Sequence, residues 1–186
     1  EKNDFAFAEE VSVLRDGATN ETRRPDIVIY VNGIAVAILE LKRAAVSVAE
    51  GIRQSYRNQQ DGNIPSFFTT IQLVLAVNES EGLYYGTIKT PEKHFIRWKE
   101  PCGEAENADT YTSDFTEERF PLEFYRSLLQ MLDKARLLEI IRDGIIYDGG
   151  VKKVARQQQY FALKAARARI CEWGSGMIGH SRGRGH

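Results

Sequence analysis

Two apolar, β-branched runs lie early in the chain, residues 27–31 (IVIYV) and 34–39 (IAVAIL), separated by Asn32-Gly33. Asn-Gly between hydrophobic runs signals a hairpin, because both residues accept positive φ. Neither run alternates. Nearly every position is apolar, the pattern of central strands covered on both faces in an α/β layer fold. Ser47-Val48-Ala49-Glu50 follows as a capping box, in which the Ser47 hydroxyl and the Glu50 carboxylate each satisfy an orphan amide. Val48, Ile52 and Tyr56 then recur at helical spacing and predict a helix from about 48 to 60, ending before Asp61-Gly62 and Pro65.

Residues 71–77 (IQLVLAV) and 83–88 (LYYGTI) read as a second strand pair joined by the polar turn 78–82, and Trp98 closes this region. Residues 100–118 are acidic and loop-like. Beyond Pro121, the spacing of Leu122, Tyr125, Leu128, Leu129, Leu132 and Leu137 predicts one or two amphipathic helices to about 142. Asp148-Gly149-Gly150 is a break, and a further amphipathic helix is expected over 151–172 before a Gly-rich tail. The expected fold is α/β: a small mixed sheet with strands 26–31 and 34–42 central, flanked by helices and followed by a helical connector.

Composition narrows the function classes. The 186 residues carry 25 basic and 26 acidic side chains, and 42% are hydrophobic, enough for a core and against disorder. The balanced charge excludes a polycation that grips nucleic acid by bulk electrostatics, though not a local basic site. No run approaches the roughly 18–20 apolar residues of a membrane span, and EKNDFAFAEE is not a signal peptide. Cys102 and Cys171 form neither a disulfide framework nor a zinc pattern. A reduced, cytoplasmic protein without a membrane partner is expected. With no initiator Met and an ending in GHSRGRGH, the chain reads as a piece of something longer.

The candidate chemistry sits at the open end of the hairpin. Asp26 begins the first strand directly after Pro25, and Glu40-Leu41-Lys42 ends the second. Side chains alternate along a strand, so Glu40 and Lys42 share a face. Whether Asp26 joins them depends on the turn. A strict two-residue loop at Asn32-Gly33 pairs Asp26 with Leu39 and sends Glu40 to the other face. A three-residue loop pairs Asp26 with Ile38 and makes Glu40 its diagonal neighbour on the same face. The chemistry therefore requires an odd loop or a bulge. Two carboxylates with the Leu41 carbonyl suit a Mg²⁺ that keeps several waters for substrate phosphate. Such a metal activates a water and stabilises the leaving oxygen of a phosphodiester, while Lys42 orients that water or balances charge on the phosphorane. An acidic-x-Lys triplet arises by chance roughly once in a chain of this composition, and most are solvated strand ends. Pro25-Asp26 upstream, an apolar hairpin between and a capped helix behind shift the weight toward a site.

Arg24-Pro25-Asp26 … Glu40-Leu41-Lys42 resembles the PD-(D/E)xK nuclease signature. The stretch RPDIVIYVNGIAVAILELK resembles the N-terminal nuclease domain of the restriction (motor) subunit of type I restriction-modification enzymes, a likeness covering roughly residues 4–100. It implies a restriction-endonuclease-like nuclease domain at 1–105, a helical connector at 106–150, and the start of a truncated helicase/translocase motor domain at 151–186. It further implies Asp26, Glu40 and the Leu41 carbonyl as metal ligands, Lys42 as the catalytic lysine, and Mg²⁺-dependent endonucleolytic cleavage of double-stranded DNA. ATP-driven translocation would belong to the rest of a larger subunit, with methyltransferase and specificity subunits as partners.

The family also carries Gln-x-x-x-Tyr on the next helix. Gln54 takes the first position as a catalytic residue, but Asn58 stands where the tyrosine is expected and Tyr56 lies two residues earlier. Gln157, Gln158 and Gln159, within VARQQQYFALKAARARI, resemble the segment before the first helicase motif, where a glutamine contacts the adenine of ATP; which of the three does so is open. Gly183-Arg184-Gly185-His186 sits where a phosphate loop would follow, with His186 at the lysine position, so no ATP hydrolysis by this chain is expected.

Two other readings remain: a RecB-like repair nuclease fused to a helicase, and a non-catalytic docking module with a nuclease fold. Exposed apolar surface on the 121–142 helices, or an Asp26 turned away from Glu40, would favour the docking module. Arg23, Arg24, Arg43, Arg53 and Arg57 flank the proposed site and suit contact with DNA backbone or simply with solvent. His94 and His180 are isolated, and Tyr84, Tyr85 and Trp98 read as sheet packing.

Overall fold

The computed structural model describes residues 2–100 and 122–171. The chain begins with β1 (Phe5–Glu9) and a short pair, β2 (Val13–Leu14) and β3 (Thr22–Arg23). The Asn-Gly hairpin follows as β4 (Ile27–Val31) and β5 (Ile34–Lys42), then α1 (Val48–Asn58). After a 3-10 turn at Pro65–Thr69 come β6 (Leu73–Asn78), β7 (Gly82–Gly86) and β8 (Ile96–Trp98). The helical part comprises α2 (Glu123–Leu132) and α3 (Lys134–Asp143), a hairpin of β9 (Ile145–Asp148) and β10 (Val151–Val154), and α4 (Gln157–Cys171).

Six strands form one mixed sheet in the order β1-β4-β5-β6-β7-β8. Only the β5–β6 pair is parallel, as it must be when the connection crosses over through α1 rather than through a turn. Every residue of β6 is buried, and β5 is buried from Ala37 to Glu40. The expectation that both hairpin strands are central holds for β5. β4 lies one place from the edge, beside β1, and three of its five residues keep partial exposure.

Alternation along the strands builds two cores. Leu39, Leu73, Leu75, Leu83, Tyr85 and Trp98 pack with Met131, Leu137, Ile140 and Tyr160 of α2, α3 and α4. On the opposite face, Val28, Ile38 and Val74 pack with Ile64, Phe68 and Ile71, and Ala76 packs with Val48 and Ile52 of α1. Tyr85 and Trp98 meet edge-on at 5.6 Å between ring centres, so these aromatics pack the sheet as their spacing suggests. Among the described residues no helix is long and apolar enough to cross a membrane.

Two local expectations are corrected, and one left open is resolved. The helix expected over 151–172 begins only at Gln157; residues 151–154 are strand β10, turned back on β9 by Gly149 and Gly150 at φ 57° and 79°. The pattern hid this strand because its inward residue is Lys152, whose buried ammonium donates to the Ile71 carbonyl (3.1 Å) and to Gln72 Oε1 (2.5 Å). Tyr85 Oη also donates to the Ala155 carbonyl (2.9 Å), so the segment after β9 is tied into the sheet core. The capping box is only half formed: Ser47 Oγ accepts from Ala49 N (3.3 Å), but Glu50 pairs with Arg53, and Glu81 Oε1 accepts from Val48 N (2.9 Å) instead. The apolar run after Pro121 resolves into two helices, because Asp133 leaves the helical region and caps α3 through the amides of Ala135 and Arg136. The acidic stretch from 101 onward, Cys102 and the boundary drawn at 105 lie outside the described residues.

Candidate active site

The hairpin turn is the strict two-residue form. Val31 pairs with Ile34, and Asn32 and Gly33 take φ 53° and 77°. That turn alone would place Asp26 and Glu40 on opposite faces. The register then shifts: Tyr30 pairs with Ala35, but Ile29 pairs with Ala37, leaving Val36 as the extra residue of a β-bulge. From Ile27↔Leu39, the next step outward sets Asp26 opposite Glu40. The parity that the chemistry requires is thus supplied by a bulge, with the loop left at two residues.

At this strand end four groups converge. Asp26 Oδ2 accepts a hydrogen bond from Leu41 N at 2.7 Å. Lys42 Nζ lies 3.7 Å from Asp26 Oδ2 and 3.6 Å from Glu40 Oε2, and donates to the Leu41 carbonyl at 3.2 Å. The ammonium therefore sits among every oxygen-bearing group that the sequence assigns to a metal. Asp26 points toward Glu40's side of the strand and not away from it. Exposure grades across the cluster: the Asp26 side chain is 34% exposed, Lys42 16% and Glu40 0%.

Glu40 is the unusual member. Both carboxylate oxygens are buried, and neither has a hydrogen-bond partner. Burial, and secondarily the Asp26 charge, push its carboxyl up to about 8, against the opposing pull of Lys42. Burial of an unsatisfied carboxylate is costly, and a cation seated there removes the cost. The donor set is all oxygen, which fits a hard divalent ion such as Mg²⁺. Among the described residues no three His, Cys, Asp or Glu side chains gather, so an ion held by two carboxylates and the Leu41 carbonyl would take its remaining ligands from water and substrate.

The wall over this cluster is α1. A Cβ built on Gly51 would lie 3.2 Å from Glu40 Cβ, 3.3 Å from Ala76 Cβ and 3.5 Å from Lys42 Cε, so this glycine lets the helix press down on the site. The helix start is anchored by Asn78, whose Nδ2 donates to the Val46 carbonyl (2.8 Å) and whose Oδ1 accepts from Glu81 N (2.6 Å). Sequence reasoning missed Gly51, Asn78 and Glu81. A lone glycine inside a helical pattern was the available signal for the first; nothing local marks the other two.

The remaining predicted residues divide. Gln54 is half-buried on α1 and lines a polar cleft with Arg23, Arg24 and Arg57, a lining that includes neither Asp26 nor Glu40. Asn58, in the tyrosine's place, is buried, and its carbonyl accepts from Ile64 N; Tyr56 is exposed. Gln157 is buried with its Oε1 accepting from Lys99 N at 3.2 Å, and Gln159 caps α4 by accepting from Arg156 N at 2.8 Å. Gln158 is exposed. His94 is exposed in a short 3-10 turn, while His180 and residues 183–186 lie outside the described residues. Leu122 and Tyr125 are exposed on and beside α2, at 50% and 44%.

A family model described as the N terminus of the type I restriction enzyme R protein matches residues 1–93. Three proteins of Methanocaldococcus jannaschii named as type I restriction enzyme endonuclease subunits are similar to the chain. The MjaVIIP subunit is 31% identical over 87% of this chain and 15% of its own length. The MjaIXP and MjaVIIIP subunits are each 26% identical, over 89% and 100% of this chain and 16% and 17% of theirs. The chain thus spans about one sixth of the length of these relatives.

Proposed function

The chain belongs to the family of type I restriction enzyme R protein N termini, and from that premise we propose that it is the PD-(D/E)xK nuclease domain of such a subunit, cutting double-stranded DNA with Mg²⁺. The observation that carries this reading is Glu40, a fully buried carboxylate with no hydrogen-bond partner, set opposite Asp26 with a lysine between them.

Asp26, Glu40 and the Leu41 carbonyl would hold the ion. When bound, Mg²⁺ supplies positive charge that favours ionisation of an attacking water and stabilises the leaving oxygen. The chain's own groups do the positioning. Asp26, anchored on Leu41 N through Oδ2, keeps that oxygen fixed, and its partial exposure would leave the carboxylate open to substrate. Lys42 exchanges its contacts with both carboxylates for the attacking water and for charge developing on the phosphorane. Gln54, one turn along α1 from Gly51, meets the DNA strand beside the scissile phosphate. In the complete subunit, ATP-driven translocation by the remaining chain precedes cutting, and methyltransferase and specificity subunits select the target. Gln158, exposed at the start of α4, is the glutamine of its run best placed to meet a nucleotide, since Gln157 and Gln159 are engaged.

Calorimetric titration of Mn²⁺ into the chain and into Asp26→Ala tests the site. Specific binding by the first that vanishes in the second is expected. Negligible binding by both, with and without duplex DNA present, would overturn the nuclease reading in favour of a docking module.

A further inference from the structure

Five arginines flank the candidate site in sequence, and their surroundings separate them. Arg53 is neutralised: its guanidinium pairs with Glu92 at 2.7 Å and with Glu50 at 2.7 Å. Arg57 is exposed and has no ion-pair partner among the described residues. Arg23 is held by neutral acceptors only, donating to Asn63 Oδ1 at 2.9 Å and to the Thr22 carbonyl at 3.3 Å, so its charge is oriented but not cancelled. Arg24 meets one carboxylate, the exposed Glu10, at 3.5 Å. Arg23, Arg24 and Arg57 line a single cleft of about 610 Å³ whose other walls are amide side chains, with no acidic residue in the lining.

The chain links the cleft to the carboxylates through β4 and α1. Arg24 precedes Asp26 by two residues, and Arg57 lies six residues along α1 from Gly51, the residue that abuts Glu40. Six helical residues advance about 9 Å along α1, and a DNA strand rises about 3.4 Å per nucleotide, so Arg57 lies two to three nucleotides of rise along the helix from the residue that abuts Glu40.

We propose that this cleft binds the phosphodiester backbone of the DNA duplex to one side of the scissile phosphate, through Arg23, Arg24 and Arg57, without reading sequence. The proposal rests on the nuclease reading above and adds to it where the substrate strand runs. Arg23 and Arg57 meet no carboxylate among the described residues and Arg24 meets one exposed carboxylate, so three guanidinium groups in one cleft leave net positive charge for backbone phosphates. The Asn63 contact fixes one of them in advance, and backbone contacts of this kind orient a duplex while leaving sequence choice elsewhere.

The test is the salt dependence of duplex binding, read by fluorescence anisotropy with the 186-residue chain in EDTA. Each phosphate contact contributes about 0.9 to the slope of log K against log salt. Arg57→Ala should lower the slope by about one, and the triple alanine variant at 23, 24 and 57 by two to three, while Arg53→Ala leaves it unchanged. Among the described residues the Arg57 side chain has no partner to lose, so its variant remains informative if the triple variant folds poorly. An unchanged slope in Arg57→Ala, an equal drop in Arg53→Ala, absence of duplex binding, or stronger binding to an RNA duplex would each overturn the proposal. The Mn²⁺ titration is the separate readout for the nuclease reading. Arg57→Ala should bind Mn²⁺ as the unaltered chain does, so loss of metal binding in both and loss of the slope effect are distinguishable failures.

Discussion

Glu100 and Glu40 are both buried carboxylates, one beside α3 and α4 and the other beneath α1. Glu100 is surrounded by partners. It pairs with the buried Arg136 and accepts from Trp98 Nε1 at 2.9 Å. Arg136 in turn lies over the rings of Trp98, Tyr160 and Phe161 at 5.9, 5.8 and 5.7 Å, and donates to the Gln130 carbonyl. Glu40 has a lysine at 3.6 Å and no hydrogen bond at all. The first arrangement joins β8 to the helices, and its cost of desolvation is offset within the fold. The second offsets that cost far less, and a cation held there, as proposed, would offset it.

The sharpest way to break this comparison is to remove Arg136. Arg136→Ala strands Glu100 and takes the cation from three rings, and should cost about 3–5 kcal/mol in urea unfolding. A loss below about 1 kcal/mol would show the Glu100 region to be no better supported than the Glu40 region.

Glu40→Gln should act in the opposite direction, and with a pH signature. Glu40's carboxyl is raised to about 8 in the folded chain, above its ordinary value of 4.5, so the folded state binds this proton more tightly than the unfolded state. Its contribution to stability is fully present below about pH 4.5 and is lost as pH rises through about 8. The glutamine variant lacks that loss. Its advantage over the unaltered chain should be near zero at pH 5 and grow to about 2 kcal/mol above pH 8, well under the roughly 5 kcal/mol ceiling of the shift, because the amide is also buried without a partner. Parallel stability profiles for the two proteins would remove Glu40 from the argument. Mn²⁺ binding should be lost in the same variant.

Gly51→Ala sharpens the comparison on the α1 side. The added methyl meets two Cβ atoms at 3.2 and 3.3 Å, and the overpacking outweighs the better helix propensity by about 1 kcal/mol. Mn²⁺ affinity should fall as the helix lifts from Glu40 and Lys42; unaltered affinity would show that α1 does not shape the site. The smallest effect is expected on the other face. Tyr85→Phe loses the hydrogen bond to Ala155, about 1 kcal/mol, with Mn²⁺ binding unchanged in calorimetry.

The parts of the fold legible in sequence are those whose apolar pattern is strong and local. The Asn-Gly hairpin, α1 and the β6–β7 pair all emerge from runs of Val, Ile and Leu or from helical spacing. β1 escaped notice because Phe5–Glu9 is an edge strand with three exposed positions, so little in its composition betrays pairing with β4. β9 and β10 were masked by a buried lysine, and by a Gly-Gly turn that looks like any break. At the site, Glu40 and Lys42 could be placed on one face because alternation is a local rule. Asp26 could not be placed, since one extra residue reverses the face of everything beyond it.

What the sequence by itself determined is chemical: two carboxylates, a lysine and a carbonyl at the open end of an apolar hairpin, followed by a capped helix. The tertiary structure decided what those groups experience. The bulge at Val36 turned Asp26 and Glu40 to the same side, α1 sealed Glu40 from water through Gly51, and Glu92 withdrew Arg53 while Arg57 stayed uncancelled. Residue type and period-two alternation are properties of neighbouring positions. Desolvation and charge pairing depend on segments distant in the chain, and only their packing sets them.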